Sequence, residues 1–394
     1  MNEQTVAPAK EHGHRTLLFL LFAGFVLSGV ATTIVGPMLP VFIRRWSLDD
    51  GQAGLFSTIQ FLAALGGTLA SSALASWSGY RPALLAGYAL MGGGLACLNA
   101  ETHGVALAAT AAFGLGYGLI TPGTNLFVAE LGGAKSASLL NQLNFAWGAG
   151  AMICSPFVAV ALRRNKISTL LVGLAIFGGS LALGLLFTSF GGEERRKTAQ
   201  TAESTTGPRI GMTITVALAA LFFVYVAVEN GIGIWAAEYA KRLAHGITGM
   251  TTLAPMFFYA GLTIGRASAP LVLRLVSERK IVLGALSLAA AGTTLLIASN
   301  TITSAIVAVF LAGLGCASVY PIYIAWLSRW YGPRAKRIGG ILFALASLGG
   351  SAGPWLVGFV SKISGSLPVG LLVPLFGIVT MICLVLLLRR EAAA

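Results

Sequence analysis

Between residues 16 and 388 one long apolar run follows another, parted only by short charged or Gly/Pro-rich breaks. A helix that crosses the hydrocarbon layer of a membrane needs about 20 such residues. At roughly 30 residues per helix and turn, the 394-residue chain holds about twelve crossings and little else. Only 10% of the residues are charged, against about 25% in soluble domains, so the chain cannot build a water-facing surface. The spread of the runs excludes a single anchor followed by a soluble domain. Their length and continuity exclude a β-barrel, whose strands alternate over about ten residues. The sequence therefore predicts an all-α membrane protein with twelve transmembrane helices in two six-helix, pseudo-symmetric halves.

The breaks place the helices at 16–43, 52–76, 81–100, 104–130, 137–161, 167–190, 211–238, 250–275, 280–298, 303–328, 337–361 and 369–388. A polar tail, 1–15, precedes them and a short one, 389–394, follows. The run after the first tail is too long for the apolar core of a signal peptide and has no clear cleavage site. The segment 191–210 (GGEERRKTAQTAESTTGPRI) is polar throughout and cuts the chain at its middle, as a linker between bundles 16–190 and 211–388. Two such halves suggest repeats rocking about a central site.

The net charge of +13 would point to nucleic acid in a soluble protein. Here the basic residues sit in turns, and no nucleic-acid partner is expected. Of the 26 Lys and Arg, 17 fall on the side of both termini and 8 on the other, leaving Arg266 inside a helix. Basic loops stay in the cytoplasm, so both termini are expected there, in a cell (inner) membrane. Cys97, Cys154, Cys316 and Cys383 all lie in apolar segments with no metal spacing and read as small buried hydrophobes. His12, His14, His103 and His245 lie in tails or turns, so none can serve as an intramembrane proton relay.

A charge at the bilayer centre costs about 2.5–3.5 kcal/mol on insertion scales and marks function or a partner. Glu229 is the acid well inside a span, with Tyr225 one turn earlier on the same face and Asn230 beside it. Burial penalises its charged form, which suits it to carry a proton for ion coupling. Arg266 is the natural suspect for a partner. Counting from the helix ends puts Glu229 about 27 Å and Arg266 about 14 Å above the cytoplasmic side. That separation of about 13 Å argues against contact, leaving Arg266 to brace a carbonyl, snorkel or meet an anionic substrate. Glu238, beside Lys241 and Arg242, reads as a solvated helix terminus.

Uncharged polar residues in the spans outline a pocket: Gln60, Thr121, Asn125, Gln142, Asn144 and Asn230 supply amides and a hydroxyl, and Tyr117, Trp147, Trp235, Tyr259, Tyr320 and Tyr323 supply aromatic faces with polar handles. Tyr117, Thr121 and Asn125 recur every fourth residue and share a helix side. Amides with aromatic faces suit a neutral polyol or sugar. Trp355, near a span end, reads as packing. Runs such as Gly114-x-Gly116-x-Gly118 let helices approach closely. Gly349-x-Ser351-x-Gly353 spells a nucleophile elbow, but no strand precedes it and no buried His accompanies it. With no paired acids, Ser–His pair or metal ligands, the chain is not expected to be an enzyme.

Gly36-Pro37-Met38-Leu39-Pro40 and the Gly79-Tyr80-Arg81 turn resemble the major facilitator superfamily, although Ser76 stands where its D-x-x-G-x-R loop has the acid. Asn125-x-x-x-x-Glu130, Asn141-Gln142-x-Asn144, Tyr225-x-x-x-Glu229-Asn230-Gly231 and Gly261-x-x-x-Gly265-Arg266 narrow the resemblance to the fucose/galactose/glucose–cation symporter branch. The resemblance implies a monomeric carrier in the lipid bilayer that moves a hexose or related sugar by proton or sodium symport with alternating access, without a cofactor. It also implies a gating clasp between Glu130 and a basic residue, here Arg337. Thr121 replaces the acid that fucose permeases carry four residues before the asparagine, so coupling in the first half is missing. Proton-coupled efflux of drugs or metabolites, and carriage of an organic anion read by Arg266, stand as alternatives. Against efflux, Thr110, Ala111 and Ala112 occupy the place of the antiporters' basic residue.

Overall fold

The computed structural model describes residues 8–132, 136–188, 211–332 and 335–391, and the regular elements among them are helices. They are α1 (Pro8–Thr33), α2 (Val35–Trp46), α3 (Asp50–Ser78), α4 (Tyr80–Cys97), α5 (His103–Gly132), α6 (Ser136–Arg163), α7 (Ile167–Phe187), α8 (Met212–Leu243), α9 (Gly249–Val272), α10 (Glu278–Ile297), α11 (Ile302–Cys316), α12 (Val319–Tyr331), α13 (Ala335–Ser364), α14 (Leu367–Gly370) and α15 (Leu372–Glu391). The polar segment 191–210 lies outside the described residues. Among those described, ten helical stretches are long and apolar enough to cross a membrane. The short helices join into such stretches: α1 with α2 (Thr16–Trp46), α11 with α12 (Ile302–Tyr331) and α14 with α15 (Leu367–Leu388). Helices α4 and α9 stand outside the ten, diluted by Arg81, Pro82 and glycines in one and by threonines, prolines and Arg266 in the other.

Three spans expected to be continuous are interrupted, the last of them at Leu371 near its start. Pro37 and Pro321 each sit at the third position of the helix that resumes, where a missing N–H is tolerated but cannot close the turn behind it. Thr32 and Thr33 bond back to the carbonyls of Ser28 and Gly29, the kind of contact that bends a helix. Elsewhere the ends follow local chemistry. Asp49 accepts from the Gln52 N–H at 2.8 Å while Gln52 answers the Asp49 N–H at 3.0 Å, opening α3 with a capping box. Gly79, at φ 80°, separates α3 from α4.

Glycines set the packing, and they do so twice. On α5, Gly114 and Gly118 lie on the α3 backbone at Gln60 and Ala64, and Gly116 lies on α4 at Gly87. On α11, Gly313 lies on the α9 backbone at Phe258 and Gly315 on α10 at Ala289. Gly150 of α6 meets Val26 of α1 as Gly349 and Gly353 of α13 meet Phe223 and Ala227 of α8. A methyl at any of these would overlap backbone, so the contacts are between helix axes rather than side chains. Gly349 and Gly353 thus serve packing, not a nucleophile elbow.

The halves meet along α3 with α13, α6 with α9, and α2 with α8 and α9. The contacts gather toward the end of the bundle remote from the chain termini, called here the far end. Gly36 lies on Gly233, Gly54 on the Trp355 backbone, and Gly350 under the Phe61 ring. Thr58 and Ser351 exchange hydroxyl-to-carbonyl bonds at 3.1 and 3.3 Å. Helix α5 packs on α1, α3, α4 and α6, with no substantial packing on the second half among the described residues. Among the described residues, the halves are therefore closed at the far end and part toward the end that carries the termini. Cys154 and Cys316 are buried as expected, whereas Cys97 and Cys383 are exposed on outward helix faces; all four are free thiols.

Candidate functional site

At the far end, charge fastens the closure. Arg242 reaches across from α8 to the carboxylate of Asp50 on α3, which also accepts from the Ser361 hydroxyl of α13. Arg242 and Lys241 both hold Glu238, at 2.9 and 3.1 Å. Glu238 is 1% exposed, not the solvated terminus its position suggests, on a helix that packs against α2 and α13. Lys362 meets Asp49 at 3.0 Å. The Gln52 backbone N–H and then Lys362 hold the Asp49 carboxyl below its usual range, against the partial burial that opposes them.

Deeper in the bundle, the Glu229 and Arg266 side chains come within 3.8 Å and are 12% and 27% exposed. The contact overturns the expectation that depth would keep them apart. Side chains on a helix lean toward its N-terminus. Helix α8 climbs from the near end and α9 descends from the far end, so Glu229 leans down while Arg266 reaches up. Two long side chains then close a separation measured along the axes.

The pair is ringed by neutral polar groups. Tyr225, Tyr117, Tyr259, Tyr320 and Cys316 all lie within electrostatic reach of Glu229. The Tyr225 hydroxyl donates to the Cys316 carbonyl at 3.1 Å, where α11 is interrupted. Gln60 does the same in the other half, its amide donating to the Thr32 carbonyl at 2.9 Å beside the α1–α2 interruption. Both broken helices thus expose backbone toward the centre, and a side chain from a neighbouring helix answers each. The sequence pairs Tyr225 with Glu229 but carries no sign of these two carbonyls.

Of the other pocket residues, Tyr117, Thr121 and Asn125 share a half-buried side of α5, with Thr121 bonding to the Tyr117 carbonyl and Asn125 to that of Thr121, each at 2.9 Å. Trp147 meets Tyr259 edge-on at 6.3 Å across the halves. Asn230 donates to its own helix at Val226. Asn144, which donates to Leu140, and Gln142 are exposed toward the near end. Tyr320 stacks near Tyr225, with ring centroids 5.2 Å apart. Tyr323 is fully buried beneath these rings. Trp235 corrects the pocket: it is fully buried, its indole N–H donates to the Pro354 carbonyl at 2.9 Å, and it packs α8 on α13 rather than facing the opening. The side chains of Glu130 and Arg337, the expected clasp, lie outside the described residues.

A helical membrane protein built from two like halves, closed at one end around a charged and polar centre, has the architecture of a transporter. Family comparison agrees: residues 21–309 and 267–394 match the model of the Major Facilitator Superfamily, and the chain belongs to that superfamily. No curated protein matches it significantly in sequence. Among solved structures it resembles FucP in the outward conformation, at 17% identity and a TM-score of 0.62 over 93% of this chain and 97% of that one. A variant of the E. coli fucose:proton symporter FucP is similar at 16% identity and a TM-score of 0.59 over the same shares. The human organic anion transporter MFSD10 (TETRAN) is similar at 16% identity and a TM-score of 0.67, over 94% and 99%. At such identities the likeness is one of fold.

Proposed function

We propose that the chain is a secondary active transporter that moves a small, hydroxyl-bearing solute, a hexose or related sugar, in symport with a proton. The observation that carries this reading is the Glu229–Arg266 pair. It sits among neutral tyrosines contributed by both halves. A carboxylate there can exchange its arginine for a proton as the halves rock, which ties proton movement to alternating access. The amides of α3 and α5 and the rings of Trp147 and Tyr259 offer a sugar its hydroxyl and C–H contacts. The fold likeness to fucose:proton symporters supports the solute class and the coupling. With α4 and α9 counted as crossings the bundle has twelve spans in two halves, with both termini in the cytoplasm of the cell's inner membrane. The carrier acts as a monomer, with no cofactor beyond the coupling ion. Counterflow in proteoliposomes with labelled glucose, galactose, fucose and glucuronate tests the reading. Exchange of any one supports it, and silence with all four from monodisperse protein contradicts it.

A further inference from the structure

The central pair is balanced in charge but unfinished in hydrogen bonding. Its 3.8 Å approach exceeds hydrogen-bond length, and Arg266 Nε is buried without a partner. Trp147 Nε1, on α6 of the opposite half and beside Tyr259, is a second buried donor without a partner. Two unanswered N–H donors from the two halves call for a ligand rich in acceptors.

Charge sharpens the requirement. Among the described residues, the side chains in reach of Glu229 besides Arg266 include Tyr225, Tyr117, Tyr259, Tyr320 and Cys316, all neutral. The charged residues of α2 and α13 with described side chains, Arg44, Arg45 and Lys362, sit at the far end, and Arg329 of α12 is at the near end, paired with Glu278. With Glu229 ionised, the described charges of the centre therefore sum to zero. A proton on Glu229 together with a neutral solute would leave Arg266, a half-buried cation, without a counter-charge when the halves close over it, at a desolvation cost. A proton together with a monoanion restores zero.

We propose that the solute is a sugar acid, a hexose-sized monoanion whose carboxylate takes over Arg266 while Glu229 takes up the proton. This rests on the transporter reading above and narrows its substrate. Two ionised carboxylates on one guanidinium would leave the centre with a net negative charge, which burial penalises. Arrival of the solute frees Glu229 to protonate, and protonation of Glu229 frees Arg266 for the solute, so each favours the other by the same factor. Coupling then follows from charge balance around one arginine.

The test uses the full chain in proteoliposomes with glucuronate and glucose as probes. Glucuronate should counterflow about tenfold or more faster than glucose. Its accumulation under an inward proton gradient should be unchanged by an interior-negative potential, because the loaded site carries no net charge. Arg266→Gln should lower glucuronate exchange about tenfold or more, and Arg266→Lys should keep part of it. Glucose exchange without glucuronate exchange, or accumulation accelerated by the potential, overturns the inference and leaves the transporter reading standing. Silence with every sugar and with glucuronate overturns both. The potential measurement needs no variant and holds even if Arg266→Gln fails to fold.

Discussion

Arg242→Ala should loosen the closed far end. The residue spans the two halves, binding Asp50 of α3 while holding Glu238 on its own helix. Removing one partner of a buried pair costs about 3–5 kcal/mol, whereas exposed pairs are worth about 0–1 kcal/mol. Arg242 is 35% exposed and Asp50 12%, so an intermediate cost of about 1.5 kcal/mol is expected after discounting for solvent. Asp50 keeps its Ser361 bond and Glu238 keeps Lys241, which limits the loss. Such a cost shifts the population of the closed far end about tenfold. Ser351 reports on it: it is buried against Thr58 of the other half and exposed only when the halves part there. With the exposed Cys97 and Cys383 replaced, Ser351→Cys should react with a maleimide about tenfold faster in the Arg242→Ala background. An unchanged rate would refute the role of this charge network in holding the halves together.

Asp49→Ala removes a cap and a cross-half contact with Lys362, and should lower thermal stability by about 1 kcal/mol; an unshifted melting temperature would deny the cap its weight. Because the Asp49 carboxyl lies below its ordinary 3.8, its stabilisation is present above that pH and fades as pH falls through the lowered value. The melting difference between wild type and Asp49→Ala should thus persist at pH 5 to 7 and shrink in stronger acid. Gly349→Ala places a methyl into the α8 backbone at Phe223 and should cost monodisperse, folded protein on size-exclusion chromatography. Trp147→Phe keeps the ring against Tyr259 and loses the indole N–H, so solute affinity should fall severalfold in equilibrium binding while thermal stability holds.

The helices were legible because the bilayer imposes one simple rule on each of them. Breaks at Gly79, at the Asp49 cap and at the Thr248 cap fall where turn chemistry puts them. The packing was partly legible in Gly114-x-Gly116-x-Gly118, although its twin at Gly313 and Gly315 shows only in the structure. The centre was less so. Glu229 and Arg266 stand out as lone charges, but their contact depends on side-chain lean on antiparallel helices, which counting along an axis misses. Tertiary closure, invisible to composition, buried Glu238 and sealed Trp235 against Pro354. The interruptions after Thr33 and Cys316 left only prolines as a trace.

The central claim is that Glu229 carries the proton that drives uptake. Accumulation of labelled solute under an inward proton gradient, measured side by side for wild type and Glu229→Gln, tests it directly. The account predicts accumulation above the bath concentration by wild type, and exchange without accumulation by the variant. Full accumulation by Glu229→Gln would contradict it.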